Sequence, residues 1–216
     1  MRISVAAESL EGNLGVPPGA RGVVLFAHGS GSSRHSPRNR SVAQVLRRAG
    51  LATLLTDLLT PQEEAVDART RHLRFDIPLL AGRLVAITDW LTQHPDTRGL
   101  AVGYFGASTG AAAALVAAAA RPEAVGAIVS RGGRPDLAGP ALARVRAPTL
   151  LIVGGHDIPV ITLNREALEH LHGDNRLAII PGATHLFEEP GTLEEVARLA
   201  AEWFTRHLGR NSGRPA

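Results

Sequence analysis

Short apolar runs alternate with segments of helical periodicity from residue 20 onward, and this alternation limits the possible folds more than any other feature of the chain. The runs are nearly all apolar, which is typical of parallel strands that are covered by helices on both faces. The alternation therefore predicts an α/β fold built on a mostly parallel sheet. The predicted strands are Val23–Ala27, Leu51–Leu55, Leu100–Phe105, Val125–Ser130, Thr149–Val153 and Arg176–Ile180.

The helical patterns lie between these strands, at about Arg38–Ala49, Ile77–Gln93, Thr109–Ala120, Leu163–Leu171 and Leu193–His207. Residues that end helices follow three of them, namely Gly50, Pro95 and Pro122. Ahead of the sheet, Ile3–Val5 and Leu10–Leu14 predict a small antiparallel hairpin at the sheet edge. With this hairpin the sheet has about eight strands, with helices on both faces.

The length of 216 residues is that of one compact domain, which we assign to residues 1–209, and residues 210–216 are predicted to form a frayed C-terminal tail. A signal peptide needs an uninterrupted apolar segment, but Glu8 and Glu11 lie where that segment belongs. The longest apolar run, Ala111–Ala120, is about half as long as a membrane-spanning helix. We therefore expect a cytoplasmic protein without a membrane partner.

Every one of the 23 basic residues is an arginine, and the chain has no cysteine. The lack of cysteine excludes disulfides, thiolate metal sites and cysteine nucleophiles, and the lack of lysine excludes Schiff-base chemistry. The isoelectric point near 10.7 accompanies a net charge of only +3, because few groups titrate between histidine and arginine. The high isoelectric point thus does not indicate a nucleic-acid partner. No metal or organic cofactor is expected.

The strongest catalytic signal is the pentapeptide Gly106-Ala107-Ser108-Thr109-Gly110, which lies between an apolar strand and an alanine-rich helix. A serine on such a strand-to-helix turn projects its hydroxyl above the sheet. The helix N-terminus behind it offers free N–H groups to a developing oxyanion. The alternative is a glycine-rich turn in which the serine only caps the helix. The position between strand and helix favours a nucleophile.

A serine nucleophile needs a base and a group that orients the base. Asp157 follows an apolar strand, and His185 follows the last strand. Both thus lie at the carboxyl edge of the sheet, where open α/β sheets bind their ligands. Each has a simpler alternative, because Asp157 could cap the next helix and His185 could be an ordinary loop histidine among nine. The order along the chain predicts a triad of Ser108, His185 and Asp157.

A glycine-rich loop at residues 28–34, with the sequence HGSGSSR, follows the first parallel strand. Its backbone predicts the second half of an oxyanion hole, in which the N–H of Ser30 acts together with that of Thr109. Gly29 and Gly31 are alternative donors. A dinucleotide-binding loop is the competing interpretation, but Arg34 stands where that fingerprint requires a third glycine.

Arginines are concentrated after two strands at this same edge, within residues 33–40 and 130–134. One explanation is a solvated rim in a chain that has no lysine. The alternative is that Arg38 or Arg131 binds a carboxylate or phosphate of the substrate through a bidentate pair.

These motifs resemble those of the α/β-hydrolases, and within them those of the small dienelactone-hydrolase-like group. The resemblance covers nearly the whole chain, from HGSGSS through GASTG and GGHD to GATHLF. It implies a mostly parallel sheet of about eight strands and a triad at Ser108, Asp157 and His185. Dienelactone hydrolases proper use a cysteine nucleophile, which this chain lacks. The resemblance therefore implies hydrolysis of an ester or related acyl bond, rather than of their lactone. Similar sequences also resemble segments attached to phosphoribosyltransferase-like domains in longer proteins.

The sequence thus predicts a serine hydrolase that cleaves small-molecule esters through an acyl-enzyme intermediate. Two alternatives stay open: a binding or sensor module on the same fold, and an acyltransferase that uses the same triad. The short connection between Ser130 and Thr149 predicts that no cap domain is present, and residues 60–76 are predicted to form a short helical lid. The oligomeric state is left open.

Overall fold

An eight-stranded, mostly parallel sheet forms the centre of the protein, in the order β1-β2-β4-β3-β5-β6-β7-β8. The computed structural model describes residues 1–5 and 8–209, so the predicted tail at residues 210–216 lies outside the described residues. Strand β1 pairs antiparallel with β2, and β2 pairs antiparallel with β4, whereas the other pairs are parallel. This sheet confirms the predicted fold class. The strands are Arg2–Val5 (β1), Glu8–Gly15 (β2), Val23–Ala27 (β3), Ala52–Thr56 (β4), Val102–Ala107 (β5), Val125–Arg131 (β6), Thr149–Gly154 (β7) and Asn175–Ile180 (β8).

Helices cover both faces of the sheet. They are Pro37–Arg48 (α1), Pro61–Thr70 (α2), Ile77–Gln93 (α3), Thr109–Ala120 (α4), Ile158–His170 (α5) and Thr192–Leu208 (α6). Alternate residues of each strand point to opposite faces. In β3, for example, Leu25 packs in the apolar cluster that contains α3 and α4, whereas Phe26 packs in the cluster that contains α1 and α6. No helix in the described part of the chain is both long and apolar enough to cross a bilayer.

The observed helices and strands agree with the predicted ones to within two residues at each end, apart from the start of α5. This helix begins at Ile158, whereas the periodicity predicted a start at Leu163. Pro159 lies in the first turn of α5, where its missing N–H has no intrahelical partner to lose. A proline there is compatible with a helix, although in the sequence it resembles a loop signal.

The connection from β6 to β7 is short and contains a 3-10 segment at Pro135–Arg144, which is kinked at Gly139 (φ 50°). Residues 132–148 therefore hold no cap domain. In the region predicted as a lid, α2 is followed by a second 3-10 segment at Leu73–Phe75. The helical part of that prediction is confirmed.

Candidate active site

Ser108 lies on a strained turn between β5 and α4. Its φ of 51° and ψ of −122° belong to a region that residues other than glycine rarely adopt. A Cβ on Gly106 would lie 2.5 Å from the Cα of Ala111, and a Cβ on Gly110 would lie 2.3 Å from the carbonyl oxygen of Ala27. Both obstructing groups are backbone and cannot move aside. The G-x-S-x-G spacing is therefore required by the close packing of α4 against β5 and the end of β3.

His185 and Asp157 are hydrogen-bonded to each other, with 2.6 Å between Nδ1 of the imidazole and Oδ2 of the carboxylate. The Asp157 side chain is 13% exposed and that of His185 is 40% exposed. Asp157 is the N-cap residue of α5 by position, but its side chain makes no capping hydrogen bond. When Nδ1 donates the proton to Asp157, Nε2 has a free lone pair facing away from the carboxylate. The imidazole is then in the tautomer that can accept a proton.

The turn at residues 131–134, directly after β6, links the serine to the histidine. The N–H of Ser108 donates to the carbonyl of Arg131 at 3.3 Å, and the N–H of Arg134 donates to the carbonyl of Ser108 at 3.1 Å. On the other side of the turn, a Cβ on Gly132 would lie 3.5 Å from Nδ1 and Cε1 of His185. The structure thus brings Ser108, His185 and Asp157 to one edge of the sheet.

Between the Ser108 hydroxyl and His185, the described residues show no hydrogen bond. In enzymes of this kind, the bond from nucleophile to base is often longer before substrate binds. The serine and the histidine are instead joined through the backbone of the turn at residues 131–134.

The loop at residues 28–34 packs directly against the serine. A Cβ on Gly29 would lie 3.0 Å from Cβ of Ser108. The hydroxyls of Ser30 and Thr109 are 2.9 Å apart, so the two residues predicted to form an oxyanion hole are neighbours. The Ser30 hydroxyl also donates to the carbonyl of Arg74 at 3.3 Å. Within the described chain, the backbone N–H groups of Ser30 and Thr109 donate to no other backbone group.

His28 holds this loop in place, a role that the sequence analysis missed. The residue is 7% exposed, and its Nε2 accepts a hydrogen bond from the N–H of Leu58 at 3.1 Å. Its Nδ1 lies 3.0 Å from the carbonyl of Gly29. Burial lowers the pKa of His28, and the hydrogen bond to Gly29 and the charge of Asp57 offset this only in part. The imidazole is therefore neutral near pH 7 and joins the loop to the segment after β4. The sequence signal was its position directly after an apolar strand.

Arg131 is buried, and it forms no ion pair with another described residue. The residue is 8% exposed, and its Nε and Nη1 have no hydrogen-bond partner among the described residues. Burial, together with the like charge of Arg38, lowers the pKa of Arg131 to about 10. Arg38 itself donates to a carboxylate oxygen of Glu188 at 3.0 Å. The structure thus brings Arg38 and Arg131 within electrostatic range of each other.

Two other arginines of this edge form structural ion pairs instead. Arg34 forms ion pairs with Asp57 and with Glu11, and the distance to the Glu11 carboxylate is 2.7 Å. Arg134 binds the two carboxylate oxygens of Asp136, at 2.9 and 2.7 Å. The structural explanation of the arginine-rich segments therefore fits Arg34 and Arg134. Across residues 1–5 and 8–209, no group of three or more histidine, aspartate or glutamate side chains is arranged to hold a metal ion.

Comparison with known proteins adds to this geometry. The sequence profile of the Dienelactone hydrolase family matches residues 10–208. A crystal structure of dienelactone hydrolase from Anabaena variabilis is 68% identical to this chain and superposes with a TM-score of 0.95, over 96% of each chain. An alpha-beta serine hydrolase homologue from Coxiella burnetii is 18% identical, with a TM-score of 0.74 over 99% of this chain and 96% of that one. The second likeness shows the shared fold.

Two longer proteins from Mycobacterium tuberculosis, each named "Putative phosphoribosyl transferase", are 64% identical to this chain over 197 residues. The matched region is 91% of this chain and 44% of each of those proteins. The chain therefore spans less than half the length of these curated relatives. Their name refers to proteins in which more than half of the sequence lies outside the matched region.

Proposed function

Because the chain belongs to the dienelactone hydrolase family and has the α/β-hydrolase fold, we propose that it is a serine hydrolase of small carboxylic esters. The observation that carries this proposal is the strained turn that presents Ser108 at the same sheet edge as the His185–Asp157 pair. The family and the fold support hydrolysis in general. The nucleophile, the acyl-enzyme and the ester substrate are inferred from the residues present.

The proposed reaction begins when Oγ of Ser108 attacks the ester carbonyl carbon while Nε2 of His185 takes the hydroxyl proton. Asp157 stabilises the resulting imidazolium through the 2.6 Å hydrogen bond to Nδ1. The carbonyl oxygen becomes an oxyanion and accepts hydrogen bonds from the N–H groups of Ser30 and Thr109. When the intermediate collapses, the carbon–oxygen bond to the alcohol breaks, and the alcohol leaves with the proton from His185.

The second half of the reaction releases the acyl group. A water molecule gives a proton to His185 and attacks the acyl-enzyme, and a second oxyanion forms in the same place. Its collapse breaks the bond to Oγ of Ser108, which recovers its proton from His185 as the carboxylic acid leaves. Each step uses only side chains and N–H groups at this edge of the sheet, so the proposed reaction requires no cofactor.

Turnover of 4-nitrophenyl acetate by wild type and variants tests this function. We expect Ser108→Ala and His185→Ala each to lower kcat/KM by about 10⁴-fold, because members of a triad act as a unit. A fluorophosphonate probe should label Ser108 in the wild type, and peptide mapping locates the adduct. Ser41→Ala, an exposed serine on α1, is the matched control and should keep both labelling and turnover.

Three outcomes would contradict the proposal. A folded wild type without turnover would favour a binding module, and an adduct on another residue would move the nucleophile. If turnover yields an acylated acceptor in place of the free acid, the protein is an acyltransferase. Circular dichroism of each variant shows whether a loss of activity reflects chemistry or unfolding.

A further inference from the structure

The side chain of Arg131 points to one defined face of the sheet, beside the proposed active site. In β6, Ala127 and Val129 pack in the apolar cluster that contains α1 and α6. Because side chains of a strand alternate, Arg131 continues this row and points toward α1. Its carbonyl accepts the hydrogen bond from the N–H of Ser108 at 3.3 Å. The guanidinium therefore belongs to the same edge as the serine, on the α1 side.

The Arg131 guanidinium is buried, and no carboxylate of the described residues compensates its charge. The residue is 8% exposed, two of its nitrogen atoms have no partner among the described residues, and the charged side chain that acts on it is Arg38, a second cation. Burying a charge without a partner is unfavourable, since lost hydration is not replaced. Arg34 and Arg134 at the same edge each have a carboxylate. A structural role like theirs does not explain Arg131.

Arg38 supplies a second cation with unused hydrogen-bonding capacity. It lies in the first turn of α1, and its side chain is 33% exposed. Its Nη1 donates to Glu188, whereas its Nε is buried without a partner among the described residues. Two guanidinium groups and one carboxylate leave a single positive charge in excess. The cluster of Arg131, Arg38 and Glu188 is thus complementary to a ligand group that carries negative charge.

We propose that Arg131, with Arg38 beside it, binds an oxyanion group of the substrate, a carboxylate or a phosphate, while the scissile ester lies at Ser108. This inference rests on the proposed serine hydrolase function and specifies its substrate class. A guanidinium presents parallel N–H donors that match two oxygens of either group. Substrates are then anionic esters, and binding of the anion compensates the buried charge of Arg131.

A matched pair of esters tests the proposal: 4-nitrophenyl pentanoate, which is neutral, and the mono-4-nitrophenyl ester of glutaric acid, whose acyl chain has the same length and ends in a carboxylate. In Arg131→Met we expect kcat/KM for the glutarate ester to fall about 10- to 100-fold, as for the loss of a charge-assisted hydrogen-bond pair. The pentanoate value should fall less, so that the glutarate-to-pentanoate ratio of kcat/KM drops about tenfold or more. The control is Arg40→Met, which removes an exposed arginine of α1 and should leave the ratio between the two esters unchanged.

Competition experiments identify the group that is bound. Inorganic phosphate and glutarate are each tested as inhibitors of pentanoate hydrolysis, and the stronger inhibitor indicates the preferred anion. Inhibition by that anion should weaken at least about tenfold in Arg131→Met. Equal losses for the two esters, or inhibition that does not depend on Arg131, would overturn the proposal.

Two further measurements apply if Arg131→Met does not fold or if the wild type hydrolyses neither ester. If Arg131→Met does not fold, Arg131→Lys retains the charge without the paired donors and should lower the glutarate-to-pentanoate ratio several-fold. If the wild type hydrolyses neither ester, the proposed function fails, and anion binding is tested without turnover. Phosphate or glutarate should then raise the melting temperature of the wild type but not that of the Arg131 variant; no shift in either protein would overturn the inference as well.

Discussion

Ser108 has an unfavourable backbone conformation. Two variants that both lack the hydroxyl, Ser108→Gly and Ser108→Ala, should therefore differ in stability. Glycine adopts a φ of 51° without a Cβ clash, whereas alanine does not. We expect Ser108→Gly to be more stable than Ser108→Ala by about 1 kcal/mol, within the range of strain found for such residues. Urea unfolding of the two variants measures the difference. Equal midpoints would show that the turn holds no strain that glycine can relieve.

At the residue scale, the common location of Ser108, Asp157 and His185 could be predicted from sequence for a physical reason. Parallel strands end at one edge, so Ser108, Asp157 and His185, each placed after a strand, had to lie near one another. The unpaired state of Arg131 could not be identified in this way. Whether an arginine forms an ion pair depends on which residues lie near it in the folded chain. Asp136, for example, pairs with Arg134. The catalytic roles themselves stay predictions.

At the scale of elements, the segment from α2 to the 3-10 turn is connected to the oxyanion loop. Asp67 in α2 is 3% exposed and accepts hydrogen bonds from the backbone N–H and the Nε of Arg74, at 3.1 and 2.5 Å. The carbonyl of Arg74 in turn accepts the hydrogen bond from the Ser30 hydroxyl. A helix was predicted here from sequence. Its link to Ser30 joins residues far apart in the chain, which local patterns do not show.

Replacing Asp67 tests this link through its pH dependence. Burial raises the pKa of Asp67, but the hydrogen bonds from Arg74 outweigh it, so the pKa lies below its ordinary value. The stabilisation is complete above about pH 4, the value for the unfolded chain, and is lost as the pH falls through the pKa of the folded state. Asp67→Asn should lower the free energy of unfolding at pH 7 by about 1–2 kcal/mol. Between pH 7 and pH 3, the free energy of unfolding should then decrease less in this variant than in the wild type.

Urea unfolding at pH 7 and pH 3 measures both effects. Glu123→Gln is the control, because the ion pair of Glu123 with Arg146 is exposed by more than 70% on both sides (74% and 73%). Such a pair contributes little, so the control should unfold like the wild type. Identical acid sensitivity of Asp67→Asn and wild type would show that Asp67 does not stabilise the fold as proposed.

For the whole molecule, the lack of a cap domain at residues 132–148 bears on the size of the substrate. Residues 132–148 add only a kinked 3-10 segment, and the cavity beside Ser30 and Thr109 measures about 20 Å³, room for about one water molecule. A long acyl chain would therefore remain exposed to water. We expect 4-nitrophenyl esters of two to six carbons to be preferred, with kcat/KM lower by about tenfold or more at twelve carbons. A preference for twelve carbons or more would contradict this reading of the open site.

The overall architecture could be predicted more fully than the site because it depends on repeated patterns. Each buried strand contributes several apolar residues to a signal, and the bounds of α3 and α4 were predicted as Ile77–Gln93 and Thr109–Ala120, as observed. The site depends on single residues whose environment comes from several elements at once. His28 illustrates this, because its Nε2 accepts a hydrogen bond from Leu58, which lies 30 residues further along the chain.

The kink at Gly139 marks a place where this protein could acquire new specificity. Gly139 is exposed, and a Cβ added there would meet no atom within 4 Å. Exposed turns of this kind are where chains accept inserted sequence without disturbing the core. The kink lies in the connection from β6 to β7, which contacts the backbone of Ser108 through Arg134. A helical insert at the kink would lengthen this connection while every strand kept its register. Evolution or design could thus vary the β6–β7 connection while the turn that holds Ser108 stays unchanged.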